Sequence, residues 1–148
     1  MTNAGAYVVA GGAILGALGV ICGAFGAHGV DGFVVEKYPD AALAARRLDN
    51  WHTAADYHLW HALATVACGL LAGQVPVGGR RAGALSAAAG CFAGGVLIFS
   101  GSLYLLTLTD LRWLGAVTPI GGLLLIAGWA LLAWAAWRCR SARSSSQP

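Results

Sequence analysis

Charge is scarce in this sequence. Only 10% of its 148 residues are Asp, Glu, Lys or Arg, where a soluble domain carries about a quarter. Four stretches, 6–27, 57–77, 82–109 and 117–137, hold no charged residue at all. There is one lysine, Lys37, against eight arginines, and the arginines flank the apolar stretches in a pattern that suits anionic lipid headgroups, not nucleic acid. No P-loop, no GxSxG and no carboxylate pair inside an apolar run occurs, which removes the usual basis for nucleotide or hydrolytic chemistry and for an enzyme. Cys22, Cys68, Cys91 and Cys139 are scattered with no CxxC or Cys/His ligand spacing, so they read as small packing residues. Neither a metal set nor a cofactor is expected.

What is abundant is apolar: 58% of the residues are hydrophobic and the mean hydropathy is +0.69. Each uncharged stretch reaches the roughly 20 residues that cross a hydrocarbon core about 30 Å thick, where backbone groups must bond internally and helices do so. The expectation is an all-α membrane protein. It is a four-transmembrane-helix bundle within residues 1–137, with spans near 6–27, 51–73, 82–109 and 118–137. Residues 138–148 read as a basic, serine-rich disordered tail. The first span lacks a positive n-region ahead of it and is read as retained, not as a signal peptide.

Between the first two spans, Gly29, Gly32 and Pro39 are expected to break helix, and Asp40 to cap a new one. The stretch 41–50 is then a short interfacial helix before the second span, lying along the interface or extending that span beyond the core, with Arg46, Arg47 and Asp49 on its surface and Trp51 at the membrane boundary. Asp110 and Arg112 mark the last turn, after which Thr118-Pro119 reads as N-cap and first helical position. Five cations (Arg80, Arg81, Arg138, Arg140, Arg143) fall on the side of the termini and four (Lys37, Arg46, Arg47, Arg112) opposite. The expected topology therefore has both termini cytoplasmic.

Small residues form seams. Gly12, Gly16, Gly19, Gly23 and Gly26 recur at steps of four and three, and Gly83, Ala87, Gly90, Gly94 and Gly101 line the third span. Such seams let backbones approach where lipid removes the hydrophobic drive for association. Gly16, Gly19, Gly23, Gly94, Gly101 and Gly121 are the expected packing positions. The polar side chains inside the spans converge near one membrane face: His28, Asp56, His58, His61, Ser100, Ser102, Tyr104 and Thr118. His58, His61/Ala62, Thr65, Gly69 and Ala72 share one helical seam.

Four ordered motifs carry a resemblance: GAFGAHG at 23–29, YHLWHALA at 57–64, FSGSLY at 99–104 and TPIGG…GW at 118–129. With them the chain resembles the domain of unknown function 423 family, which takes in small bacterial inner-membrane proteins and the eukaryotic transmembrane protein 256 group. The resemblance implies a four-helix protein of the bacterial cytoplasmic membrane, or of a mitochondrial membrane if eukaryotic. It implies no reaction. A longer, more charged first loop and the serine-arginine tail depart from the family pattern.

Three functional readings follow. The polar groups tie helices together, and the bundle serves as an accessory or assembly subunit of a larger membrane complex or homo-oligomer. Alternatively they line an oligomeric small-solute or proton pathway. In the third, His28, His58 and His61 hold a metal or haem.

Overall fold

The computed structural model of the chain describes residues 1–144, and among these every regular element is helical. Helix α1 spans Asn3–Phe25 and passes through one π-helical turn, Gly26–Val30, into α2, Asp31–Lys37. Gly29 and Gly32 therefore do not break the chain. Their missing side chains weaken a helix but leave its hydrogen bonds intact, whereas Pro39 forces its predecessor out of the helical region. Tyr38 accordingly sits at φ −116°, ψ 94°. Asp40 then caps α3, Ala41–Ala72, accepting from the Ala42 and Leu43 amides at 2.8 and 3.0 Å. Of the two arrangements expected for residues 41–50, the structure has the extension and not a separate interfacial helix: they are the first turns of this continuous 32-residue rod.

Helix α4 spans Arg80–Thr109 and stops at Asp110, whose φ of 60° places it in the left-handed region. Helix α5, Leu114–Ser144, starts before the expected Thr118-Pro119 boundary. Successive turn bonds from the Leu114, Gly115 and Ala116 amides to Leu111, Arg112 and Trp113 carbonyls wind the chain up ahead of the proline. Pro119 lies inside the first turns, and Thr118 bonds back to the Leu114 carbonyl at 3.2 Å without capping. The expected disordered tail is helical through Ser144, and residues 145–148 lie outside the described part.

The helices pack in chain order: α1 on α3, α3 on α4, α4 on α5, with α1 and α4 barely meeting. Among the described residues, three stretches are long and apolar enough to cross a membrane: Asn3–Lys37, Arg80–Thr109 and Leu114–Trp137. The helix expected as second span, α3, has the length but not the apolar character. It carries Arg46, Arg47, Asp49, His52, Asp56, His58 and His61, and it buries its polar seam between α1 and α4.

The glycine seam of α1 differs from the expected one. Gly5, Gly12, Gly19 and Gly26, seven residues apart, are the buried positions, and a Cβ on any of them would come within 2.7–2.9 Å of α3 or of Gly73 just past its end. Their partners run the opposite way: Gly69 and Gly73, Val66, Leu59, Trp51. The α4–α5 pair repeats the pattern, with Gly121 on the Phe99 backbone, Gly128 on the Phe92 ring, and Gly95 on Leu125. A seven-residue repeat keeps one face in contact only if the helices wrap left-handedly, as in coiled coils. Of the expected positions, Gly19 and Gly121 are in these seams, Gly16 and Gly94 make ordinary contacts at 3.9 and 3.8 Å, and Gly23 and Gly101 face open space. Steps of four and three rotate alternate glycines off the contact line, which the seven-residue step does not.

Candidate functional site

The eight polar residues expected in one cluster are distributed over three neighbourhoods and the surface. His28 lies on the π-helical turn, exposed, and Asp56 is exposed on α3. The other six are at helix contacts, at different ones.

His61, 5% exposed, is fixed between α3 and α5. Its Nδ1 lies 2.8 Å from the Tyr57 carbonyl one turn back, and its Nε2 accepts from the Trp129 indole N–H at 3.1 Å. A carbonyl can only accept and an indole can only donate, so the ring is held as the neutral Nδ1–H tautomer with both nitrogens engaged. The Tyr57 ring stacks on His61 and on Phe99, and Phe92 closes the other side, against His61 and Trp129. Tyr57, His61, Phe99 and Trp129, with Trp60, Gly122, Leu125 and Ile126, line a lateral groove of about 400 Å³. His61 does not join Tyr104 or the end of α1 in the one cluster expected, because three residues along α3 turn it towards α5.

His58 is the histidine that turns towards α1 and Tyr104. It lies against α1, where Gly19 leaves room for its ring, and its centroid is 6.3 Å from that of Tyr104 on α4. The two histidines thus look at different neighbours and offer no shared coordination site. Among the described residues no group of three or more His, Cys, Asp and Glu could hold a metal ion.

Ser102 and Thr118 join α4 to α5 through a 2.8 Å hydroxyl–hydroxyl bond. Each also reaches a carbonyl of its own helix, Phe99 and Leu114 respectively. With one proton apiece, one hydroxyl donates to the other, which donates to its carbonyl. Ser100 and Tyr104, one turn apart, lie on a different face of α4 from Ser102.

Sequence reasoning placed Arg47 on the surface. It is 5% exposed and paired with Asp110. Its guanidinium lies 5.6 Å from the Tyr38 ring centre, and its carbonyl accepts from Thr107 Oγ1 at 3.0 Å. Tyr38 Oη donates to the Thr107 carbonyl at 2.9 Å. The left-handed turn at Asp110 brings its carboxylate back to α3, so one clamp joins the first loop, α3 and the α4–α5 turn. Trp51 stands beside it, with its indole N–H on the Cys22 carbonyl at 2.9 Å and its ring 4.6 Å from Tyr104. The signal was in the sequence: continuing the His58 seam backwards by steps of three and four passes Ala54, Trp51, Arg47 and Ala44, all buried.

Outside these contacts the bundle presents large apolar side chains, Ile14, Leu18 and Ile21 on α1 and Leu123, Ile126 and Trp137 on α5. Helices with one packed stripe and apolar residues on the remaining faces define a membrane-embedded bundle. The chain belongs to the family described as "Protein of unknown function (DUF423)", which matches residues 22–122. It is similar to a UPF0382 membrane protein of Staphylococcus haemolyticus, 44% identical over 123 residues, 80% of this chain and 88% of the relative. It is also similar to the UPF0382 membrane protein YwdK of Bacillus subtilis, 38% identical over 125 residues, 84% and 91% of the two chains. No solved structure matches it.

Proposed function

We propose that this chain is a non-catalytic four-span module of the bacterial cytoplasmic membrane, with both termini cytoplasmic, that serves as an accessory or assembly subunit of a larger membrane complex. One observation carries the reading: His61, the histidine best placed for chemistry, has both nitrogens engaged by protein groups, the Tyr57 carbonyl of its own helix and the Trp129 indole that joins α3 to α5. The other paired polar side chains between helices, Ser102–Thr118 and Arg47–Asp110, likewise join elements. Further along α3, the Thr65 hydroxyl donates to the His61 carbonyl of its own helix at 2.8 Å.

The fourth span is α3 itself. Its contacts follow α1 from Gly5 at one end to Gly26 at the other, so whatever depth α1 crosses, α3 crosses beside it. The five arginines on the side of the termini support the orientation. A reporter active only outside the cytoplasm should be silent when fused after Pro148 and active when inserted at Asp40; the opposite pattern would reverse the orientation. For the subunit role, native-level tagged protein extracted in mild detergent should migrate with one larger complex in fixed stoichiometry. Migration solely as a free monomer would remove it.

A further inference from the structure

Apart from the Nε atoms of Arg47 and Arg81, three side chains keep buried polar atoms that none of the contacts above accounts for. Neither ring nitrogen of His58, nor Ser100 Oγ, nor Tyr104 Oη has a hydrogen-bond partner among the protein groups. His58 and Ser100 are 6% and 1% exposed. Their neighbours on the same helices behave otherwise: Ser102 bonds back to its own helix and His61 uses both nitrogens. Ser100 and Tyr104 are one turn apart on α4, and Tyr104 faces the His58 ring across the α3–α4 contact. The Tyr104 hydroxyl is turned towards the Cys22 thiol, and His58 towards the Leu15 backbone, both on α1, without closing a bond of ordinary geometry on either.

Unpartnered groups of this kind occur rarely and collect where an unseen small molecule completes them. We propose that His58, Ser100 and Tyr104 form a binding site for ordered water buried between α1, α3 and α4. The donor and acceptor inventory fits. A neutral imidazole offers one of each, and the two hydroxyls offer a proton apiece and spare lone pairs, so one or two waters find the 2–4 polar partners that hold buried water. The placement gives the water a role. Helices α1 and α4 scarcely touch, and His58 and Tyr104 are turned towards Leu15 and Cys22 of α1. The water bridges them where side chains do not, independently of what the bundle binds outside.

The test uses full-length protein in lipid bilayers, labelled with ¹⁵N-histidine in a His28→Asn, His52→Asn background so that only His58 and His61 report. Water-edited solid-state NMR should show rapid magnetisation transfer from water to the His58 ring and slow transfer to His61. Transfer to His58 no faster than to His61 overturns the site. Thermal unfolding supplies the second measurement. A hydroxyl that is truly orphaned is better removed, so Tyr104→Phe would raise Tm, whereas a water-bridged hydroxyl makes the same change lower Tm by about 2–4 °C. A rise in Tm overturns the site even if the variant is otherwise normal.

Discussion

The two parts of this bundle are held by different chemistry. At the end formed by the first loop and the α4–α5 turn, Arg47, Asp110, Tyr38 and Thr107 make an ion pair, a ring contact and side-chain-to-backbone bonds. Along the middle, α1–α3 and α4–α5 are held by glycines that let a neighbour's backbone or ring sit where a side chain would be. The difference follows the solvent. Asp110 is 31% exposed, so water reaches the clamp and lowers the cost of bringing charges together. Within lipid, apolar side chains gain nothing by leaving the hydrocarbon, and close contact is what remains to hold helices together.

Breaking the glycine contacts should have the largest effect. Gly121→Leu places a side chain on the Phe99 backbone, which cannot rotate away, and should cost more than about 3 kcal/mol and prevent assembly in detergent. Gly23→Leu and Gly101→Leu, facing open space, should be tolerated in the same size-exclusion assay. Collapse at all three would abolish the distinction between seam and non-seam glycines.

The clamp should come second. Arg47→Met keeps the apolar stem but leaves Asp110 without its cation, with an expected loss of about 1.5–3 kcal/mol in thermal or denaturant unfolding. Because the pair sits near water, Asp110→Asn should recover part of that loss in the Arg47→Met background. No recovery would mean that Arg47 acts through its contact with Tyr38 alone.

His61 should rank third. Gln keeps a donor and an acceptor, so His61→Gln should assemble normally, within about 1 kcal/mol of the parent. His61→Leu strands the Trp129 indole and should be the worse of the two. Tryptophan fluorescence offers a local readout, since Trp129 is the indole bonded to His61. The smallest effect belongs to His28→Asn, an exposed residue, with a change within about 0.5 kcal/mol by the same unfolding measurement.

The helices were largely legible because uncharged length is a direct readout of what lipid tolerates. Their ends were less so. Pro39 marks a break because it constrains Tyr38, whereas Gly29 only permits one, and composition does not tell permission from obligation. At Pro119 the chain had already begun to coil through turn bonds that no residue type announces. Six of the eight polar residues do lie at helix contacts while His28 and Asp56 are exposed, and a residue's helix face does not name the helix it meets. His58 and His61 share a seam and still reach α1 and α5 respectively. Arg47 was misplaced because arginine is a surface residue by habit, and only the Asp110 carboxylate, supplied by a turn 63 residues away, makes its burial affordable.

The glycine ladder on α1 has a symmetry that creates a problem of address. Rungs at Gly5, Gly12, Gly19 and Gly26 are alike, so sliding α1 along α3 by seven residues would bring most rungs to another acceptable partner. Close packing sets the spacing but says little about which rung meets which. The features that occur once decide it. Trp51 finds the Cys22 carbonyl in only one alignment, and Arg47 finds Asp110 only when α3 and α4 are in step. A single buried polar residue fixes alignment in coiled coils in the same way. The clamp is therefore the bundle's index mark, and its loss should show as helices that still associate, in detergent cross-linking, but in more than one alignment.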